Sequence, residues 1–182
     1  MPPTSGTQTP AVTALGLPYL LALPVLWNPT KAWPLLIYLH GAGESGSDPR
    51  ELLSQGATGT PPMLAEARAA HLQDFIVASP QTDSGWGSKR MANKVVGLLD
   101  ELVNQKIGVD PTRVYLTGVS MGGAGTFSVA TFHSHRFAAV VPVCGVRTQA
   151  RTLSPHASPR SIRTRARTLS PGASPRSMFP AC

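Results

Sequence analysis

The chain has 182 residues, enough for one domain with its own core, and its 42% hydrophobic content suits a folded protein. The net charge of +7 suggests nucleic-acid binding until it is mapped: nine Lys/Arg up to Val146 are balanced by all nine Asp/Glu, and the remaining seven basic residues lie beyond it. A basic domain surface is thereby excluded, and two cysteines as distant as Cys144 and Cys182 suggest no disulfide framework.

No His or Cys grouping has metal-ligand spacing, so neither a metal nor a cofactor is expected. The N-terminus lacks the basic region of a secretory signal. The apolar stretch from Leu15 to Trp27 is interrupted by Pro18 and Pro24 and is too short to span a bilayer. A cytoplasmic protein in a reducing compartment, without a membrane segment, is the expectation.

Residues 1–14, rich in Pro, Thr and Ser and without periodicity, are expected to be disordered. Tyr19–Leu23 reads as a first strand, stopped by Pro24. Pro34–Leu39 is an almost unbroken apolar run, the pattern of a strand buried on both faces of a parallel sheet. It stops at His40, and a glycine-rich loop from Gly41 to Gly46 follows. Pro61-Pro62 opens a helix to about His71. Phe75–Ala78 is a second buried strand.

From Lys89 to about Gln105, Val95, Val96, Leu98, Leu99 and Leu102 recur at helical spacing, and Gly108 ends that helix. Val114–Thr117 is a third buried strand, Gly122 to about Thr131 a helix, and Phe137–Val143 a fourth buried strand. Strands alternating with helices predict an α/β domain over 15–146, with a mostly parallel sheet covered on both faces.

Beyond Val146 the character changes. Arg147–Ile162 and Arg163–Met178 are two copies of one 16-residue unit, differing only at Gln149/Arg165, His156/Gly172 and Ile162/Met178. The unit has no acid and no aromatic residue with which to fill a core, so 147–182 is expected to be a disordered basic tail.

Gly118-Val119-Ser120-Met121-Gly122 lies between the strand Val114–Thr117 and the following helix. A serine on so tight a turn takes a strained backbone, and glycines two positions to either side let the chain reverse. Its hydroxyl is presented at the carboxyl edge of the sheet and at a helix N-terminus, where an anion is favoured. Ser120 is therefore the candidate nucleophile. His40-Gly41-Ala42-Gly43, directly after a strand, is the candidate oxyanion loop. Its donor would be the N–H of Ala42, or of Gly43, acting with the N–H of Met121. Trp86 is placed either in the substrate pocket or in the core, and Glu44 is expected to shape the loop locally. Cys144 is expected in the core.

The stretch Trp33–Gly145 resembles carboxylesterases of the α/β-hydrolase superfamily, in the branch of dienelactone hydrolases, feruloyl esterases and polyhydroxybutyrate depolymerase-like esterases. The resemblance is carried by Trp33–Glu44, Ala78–Gln81, Val109–Gly118, Ser120–Gly123 and Arg136–Gly145. It implies hydrolysis of a small-molecule carboxylic ester through an acyl-serine, with no cofactor.

The chain departs from that pattern after Ser120. The fold orders its triad as Ser, then Asp or Glu, then His, yet no Asp or Glu follows Ser120. His133 and His135 close the helix that leaves the turn, and His156 is replaced by Gly172 in the second repeat. No triad acid or base is identifiable. The expectation is a hydrolase fold incomplete after the strand ending near Gly145, C-terminally truncated, and weak or inactive as an esterase. The alternative is a non-catalytic protein whose basic tail, with its four Ser-Pro pairs, binds nucleic acid or a partner.

Overall fold

A computed structural model describes residues 8–54, 60–66 and 70–145. The chain divides into two units, Met1–Arg147 and Thr148–Cys182, and the described residues all lie in the first. The 16-residue repeats lie outside the described residues.

The strands are β1 (Gln8–Val12), β2 (Pro18–Ala22), β3 (Trp33–Leu39), β4 (Ile76–Pro80), β5 (Val109–Val119) and β6 (Ala139–Val143). The helices are α1 (Pro61–Glu66), α2 (Lys89–Asn104) and α3 (Met121–His133). One sheet takes the order β1-β2-β4-β3-β5-β6, antiparallel at β1–β2 and β2–β4 and parallel elsewhere.

Register places Leu21, Ala78, Ile37, Leu116 and Val140 in one row across five strands. This row faces the main core, which α2 fills with Val95, Leu98, Leu99 and Leu102 and α3 with Val129. The apolar stripe of α2 gives it that buried face. Its start is capped by Ser88, whose hydroxyl accepts the N–H of Met91 at 3.1 Å. At the head of β5, Arg113 pairs with Asp110 at 2.7 Å and also donates to the Ala32 carbonyl at 2.7 Å, tying β5 to the approach of β3.

Three expectations are corrected. Residues 8–12 are not disordered but form the edge strand β1, paired with β2 from Gln8–Ala22 to Val12–Pro18. An edge position tolerates Pro10, whose presence obscured the strand. The last strand is not buried: β6 lies at the sheet edge among the described residues, with Val141 57% and Val143 44% exposed. Cys144, just beyond it, is exposed rather than in the core. The helix begun at Pro61 is described only to Glu66, and a short turn at Ala70–Leu72 follows.

The topology also locates a site. From β3 the chain first moves to β4 on one side, then α2 carries it back to β5 on the other. Such a reversal opens a crevice at the carboxyl ends of the two strands it separates. Here those ends carry His40-Gly41 and Val119-Ser120, and Leu39 is in register with Gly118. The two segments singled out in the sequence are therefore neighbours.

Candidate active site

Ser120 has φ 53° and ψ −113°, a left-handed backbone that L-residues rarely adopt, and its side chain is exposed. Two hydrogen bonds hold this turn. The Ser120 N–H donates to the Val143 carbonyl at 2.9 Å, and the Ala124 N–H donates to the Ser120 carbonyl at 3.0 Å. The turn is also pressed against the end of β3. A Cβ on Gly122 would overlap the Leu39 carbonyl, and one on Gly118 would lie 2.7 Å from the same oxygen. The motif's glycines are required by close packing as well as by chain reversal.

Met121 is the first residue of α3, so its N–H has no preceding intrahelical carbonyl to bind. Across the crevice, Ala42–Glu44 forms a single 3-10 turn, with Ala42 and Gly43 exposed. Gly41, which leads into it, packs beside β5; its Cβ would sit 3.6 Å from the Val119 carbonyl. The structure thus brings the Ala42 loop and the Ser120 turn to one edge.

His40 organises the floor of this edge from a fully buried position. Its Nε2 accepts the Thr82 N–H at 3.1 Å, so the proton sits on Nδ1, which lies 2.7 Å from the Gly41 carbonyl and donates to it. Burial is the largest influence on the ring and lowers its pKa, against opposing contributions from Gly41, Glu44 and Thr82. Trp86 donates from Nε1 to the His40 carbonyl at 3.0 Å, and its ring meets the imidazole edge-on with centroids 5.0 Å apart. Trp86 is 1% exposed. Trp86 packs within the hydrophobic core cluster of the described residues.

Glu44, also buried, accepts the Gly41 N–H at 2.8 Å. The Tyr38 hydroxyl stands 3.5 Å from the same carboxylate oxygen. Burial and the Glu44 charge both raise the Tyr38 pKa, keeping the phenol protonated. The sequence placed His40 at the head of the glycine loop and expected Glu44 to shape that loop locally, as its bond to the Gly41 N–H does. Their burial beneath it, and the part played by Thr82, follow from strand adjacency that no local pattern encodes.

Neither His133 nor His135 joins this group, and His156 lies outside the described residues. α3 is 13 residues long, about 20 Å at the helical rise, and His133 stands at its far end with Nε2 2.9 Å from Asn93 Oδ1. His135 is exposed beyond it and lines a shallow depression with Asn104, Pro111 and Arg136 at the amino end of β5. Among the described residues, no group of three or more His, Cys, Asp or Glu could hold a metal. No helix among them is long and apolar enough to cross a membrane.

The prolyl oligopeptidase family model matches residues 83–161, a segment that contains the Ser120 turn. A thermostable esterase superposes with a TM-score of 0.62 at 28% identity, over 76% of this chain and 40% of that one. The chain belongs to the α/β-hydrolase superfamily. Its ancestry is that of serine hydrolases. FphF, a fluorophosphonate-binding serine hydrolase of Staphylococcus aureus, has the same fold (TM-score 0.57, 20% identity, 77% of this chain and 56% of that one). So has the feruloyl esterase module from Clostridium thermocellum (TM-score 0.57, 16% identity, 75% and 52%). This α/β-hydrolase chain therefore spans about half the length of these structures or less. No curated protein matches it.

Proposed function

We propose that this chain carries the nucleophile and oxyanion-binding half of a serine carboxylic-ester hydrolase. The observation that carries the reading is the backbone of Ser120, held at φ 53° with its side chain exposed beside the unpaired start of α3. Strain of this kind costs roughly 1–3 kcal/mol and persists where function requires it.

In the proposed reaction, Ser120 Oγ attacks the ester carbonyl carbon and loses its proton to a base. The carbonyl oxygen becomes an oxyanion that the N–H groups of Ala42 and Met121 bind. Collapse of this intermediate breaks the bond to the alcohol, which leaves with the proton and an acyl-serine remains. Water then attacks the acyl carbon, releases the acid and restores Ser120. The substrate is a small-molecule carboxylic ester.

The base and its orienting acid have no candidates in the sequence after Ser120. Oxyanion binding and positioning alone sustain about 10³–10⁴-fold acceleration over water. The 182-residue chain by itself is accordingly weak or inactive in turnover.

A fluorophosphonate probe tests the reading, because it needs a presented serine and an oxyanion site rather than a full catalytic cycle. Slow labelling that disappears in Ser120→Ala is expected, with hydrolysis of p-nitrophenyl acetate near background. Absence of labelling in folded wild-type protein, or equal labelling of Ser120→Ala, would sink it.

A further inference from the structure

We infer that Glu44 is a positioning residue that selects which amides of the Gly41–Gly43 loop remain free for an oxyanion. The inference rests on the proposed esterase reading. It starts from an oddity: Glu44 is 5% exposed, and among the described residues it has no cationic partner and its Oε1 has no hydrogen bond. A buried carboxylate without a counter-charge is expensive. Its retention points to a task that an apolar side chain could not perform.

The hydrogen bonds of the turn show the task. The Gly41 N–H is bound by Glu44 Oε2 at 2.8 Å, within the range of a charge-assisted bond. The Glu44 N–H donates to the Gly41 carbonyl at 3.2 Å, and the Ser45 N–H to the Ala42 carbonyl at 3.3 Å. From Gly41 to Ser45, this leaves the amides of Ala42 and Gly43, and both residues are exposed. The Glu44 carbonyl is in turn held by Gln81 Nε2 at 3.1 Å, and the Gln81 N–H donates to the Pro18 carbonyl on β2 at 2.9 Å. Gln81 is fully buried. Glu44 thus clamps the turn at its entry through the side chain and at its exit through the main chain. Without the carboxylate the Gly41 amide would be released, and the turn that carries Ala42 and Gly43 would lose its side-chain anchor.

Reach and charge can be separated by substitution in the full chain. Glu44→Gln keeps the length and an acceptor oxygen but removes the charge. Glu44→Asp keeps the charge but is one methylene short of Gly41. Amide hydrogen exchange followed by NMR is the first readout, and fluorophosphonate labelling of Ser120 the second. Glu44→Asp and Glu44→Ala should speed exchange at Gly41 about tenfold, the effect of losing one strong hydrogen bond, and leave amides in the centres of β3 and β5 unchanged. Both should slow labelling by a similar factor, while Glu44→Gln stays within about threefold of wild type in both measurements.

Unchanged Gly41 exchange in Glu44→Asp overturns the inference, as does a Glu44→Gln variant disturbed as much as Glu44→Asp. So does faster exchange with labelling unaltered, which would make Glu44 a structural cap alone. If the wild type does not label, the esterase reading fails, and the exchange data still decide whether Glu44 holds the turn. Should Glu44→Ala not fold, the Gln and Asp variants carry the test.

Discussion

Trp86 Nε1 donates to the main-chain carbonyl of His40 at 3.0 Å, so a side chain from the loop after β4 fixes the residue that begins the candidate oxyanion loop. The contact is wholly buried, and Gly125 of α3 packs so close that a Cβ there would overlap the indole Cβ. Strand β3, the Trp86 loop and helix α3 therefore meet around one side chain. Trp86→Phe keeps much of the apolar volume but leaves the His40 carbonyl without this donor. A buried acceptor deprived of its partner, added to the volume lost, should cost about 3 kcal/mol. Urea unfolding measures it, and a loss under 1 kcal/mol would show that the hydrogen bond is dispensable.

Gly122 and Gly43, one from each sequence motif, should respond very differently to the same substitution. A Cβ on Gly122 meets the Leu39 main chain, which cannot move without shifting β3, so Gly122→Ala should destabilise by about 3 kcal/mol. Gly43 has nothing within 4 Å of its Cβ position, and Gly43→Ala should change stability by no more than about 0.5 kcal/mol. Denaturant midpoints of the two variants give the comparison. Equal effects would mean that the Ser120 turn is not packed against β3 as described.

Much of this arrangement is legible in the sequence. The apolar runs at Pro34–Leu39 and Val114–Thr117 marked strands, and the strand-turn-helix setting of Ser120 marked a tight turn at the sheet's carboxyl edge. What escaped the sequence depended on partners distant in the chain. Strand β1 is specified by its pairing with β2, and Pro10 hides it from any local pattern. The apolar run of β6 resembles a buried strand, yet burial requires a neighbour on its far side, and none lies there among the described residues. His40 acquires its buried role only when Thr82 and Trp86 are brought beside it from after β4, and Glu44 gains its main-chain anchor only from Gln81.

The strain at Ser120 has a thermodynamic signature that is separable from chemistry. At φ 53°, Ala keeps the steric conflict of the side chain with the backbone, whereas Gly relieves it. Relief of roughly 1–3 kcal/mol is offset by the extra unfolded-state freedom of Gly, roughly 0.5–1 kcal/mol. Ser120→Gly should therefore be about 1 kcal/mol more stable than Ser120→Ala, although neither can be labelled by a fluorophosphonate. Thermal or urea unfolding of the pair checks this. A glycine variant less stable than the alanine variant would contradict the left-handed turn.

His40 should make stability depend on pH in a defined direction. Burial lowers its folded-state pKa below the ordinary value of 6.5, so the folded protein holds the ring neutral where the unfolded chain has begun to protonate it. Between the two pKa values the unfolded state binds more protons, and stability rises with pH. The His40 contribution is thus complete above pH 6.5 and is lost as pH falls toward the lowered folded value. One such group gives a slope of at most about 1.4 kcal/mol per pH unit. The neutral state is also the one the contacts need, since Nε2 must accept from Thr82 while Nδ1 donates to Gly41. Unfolding free energies measured from pH 7.5 to 5.0 should fall for the wild type, and the fall should be smaller in His40→Gln, which cannot titrate. Parallel curves for the two proteins would mean that His40 is protonated alike in both states, and the acceptor role of Nε2 would have to be abandoned.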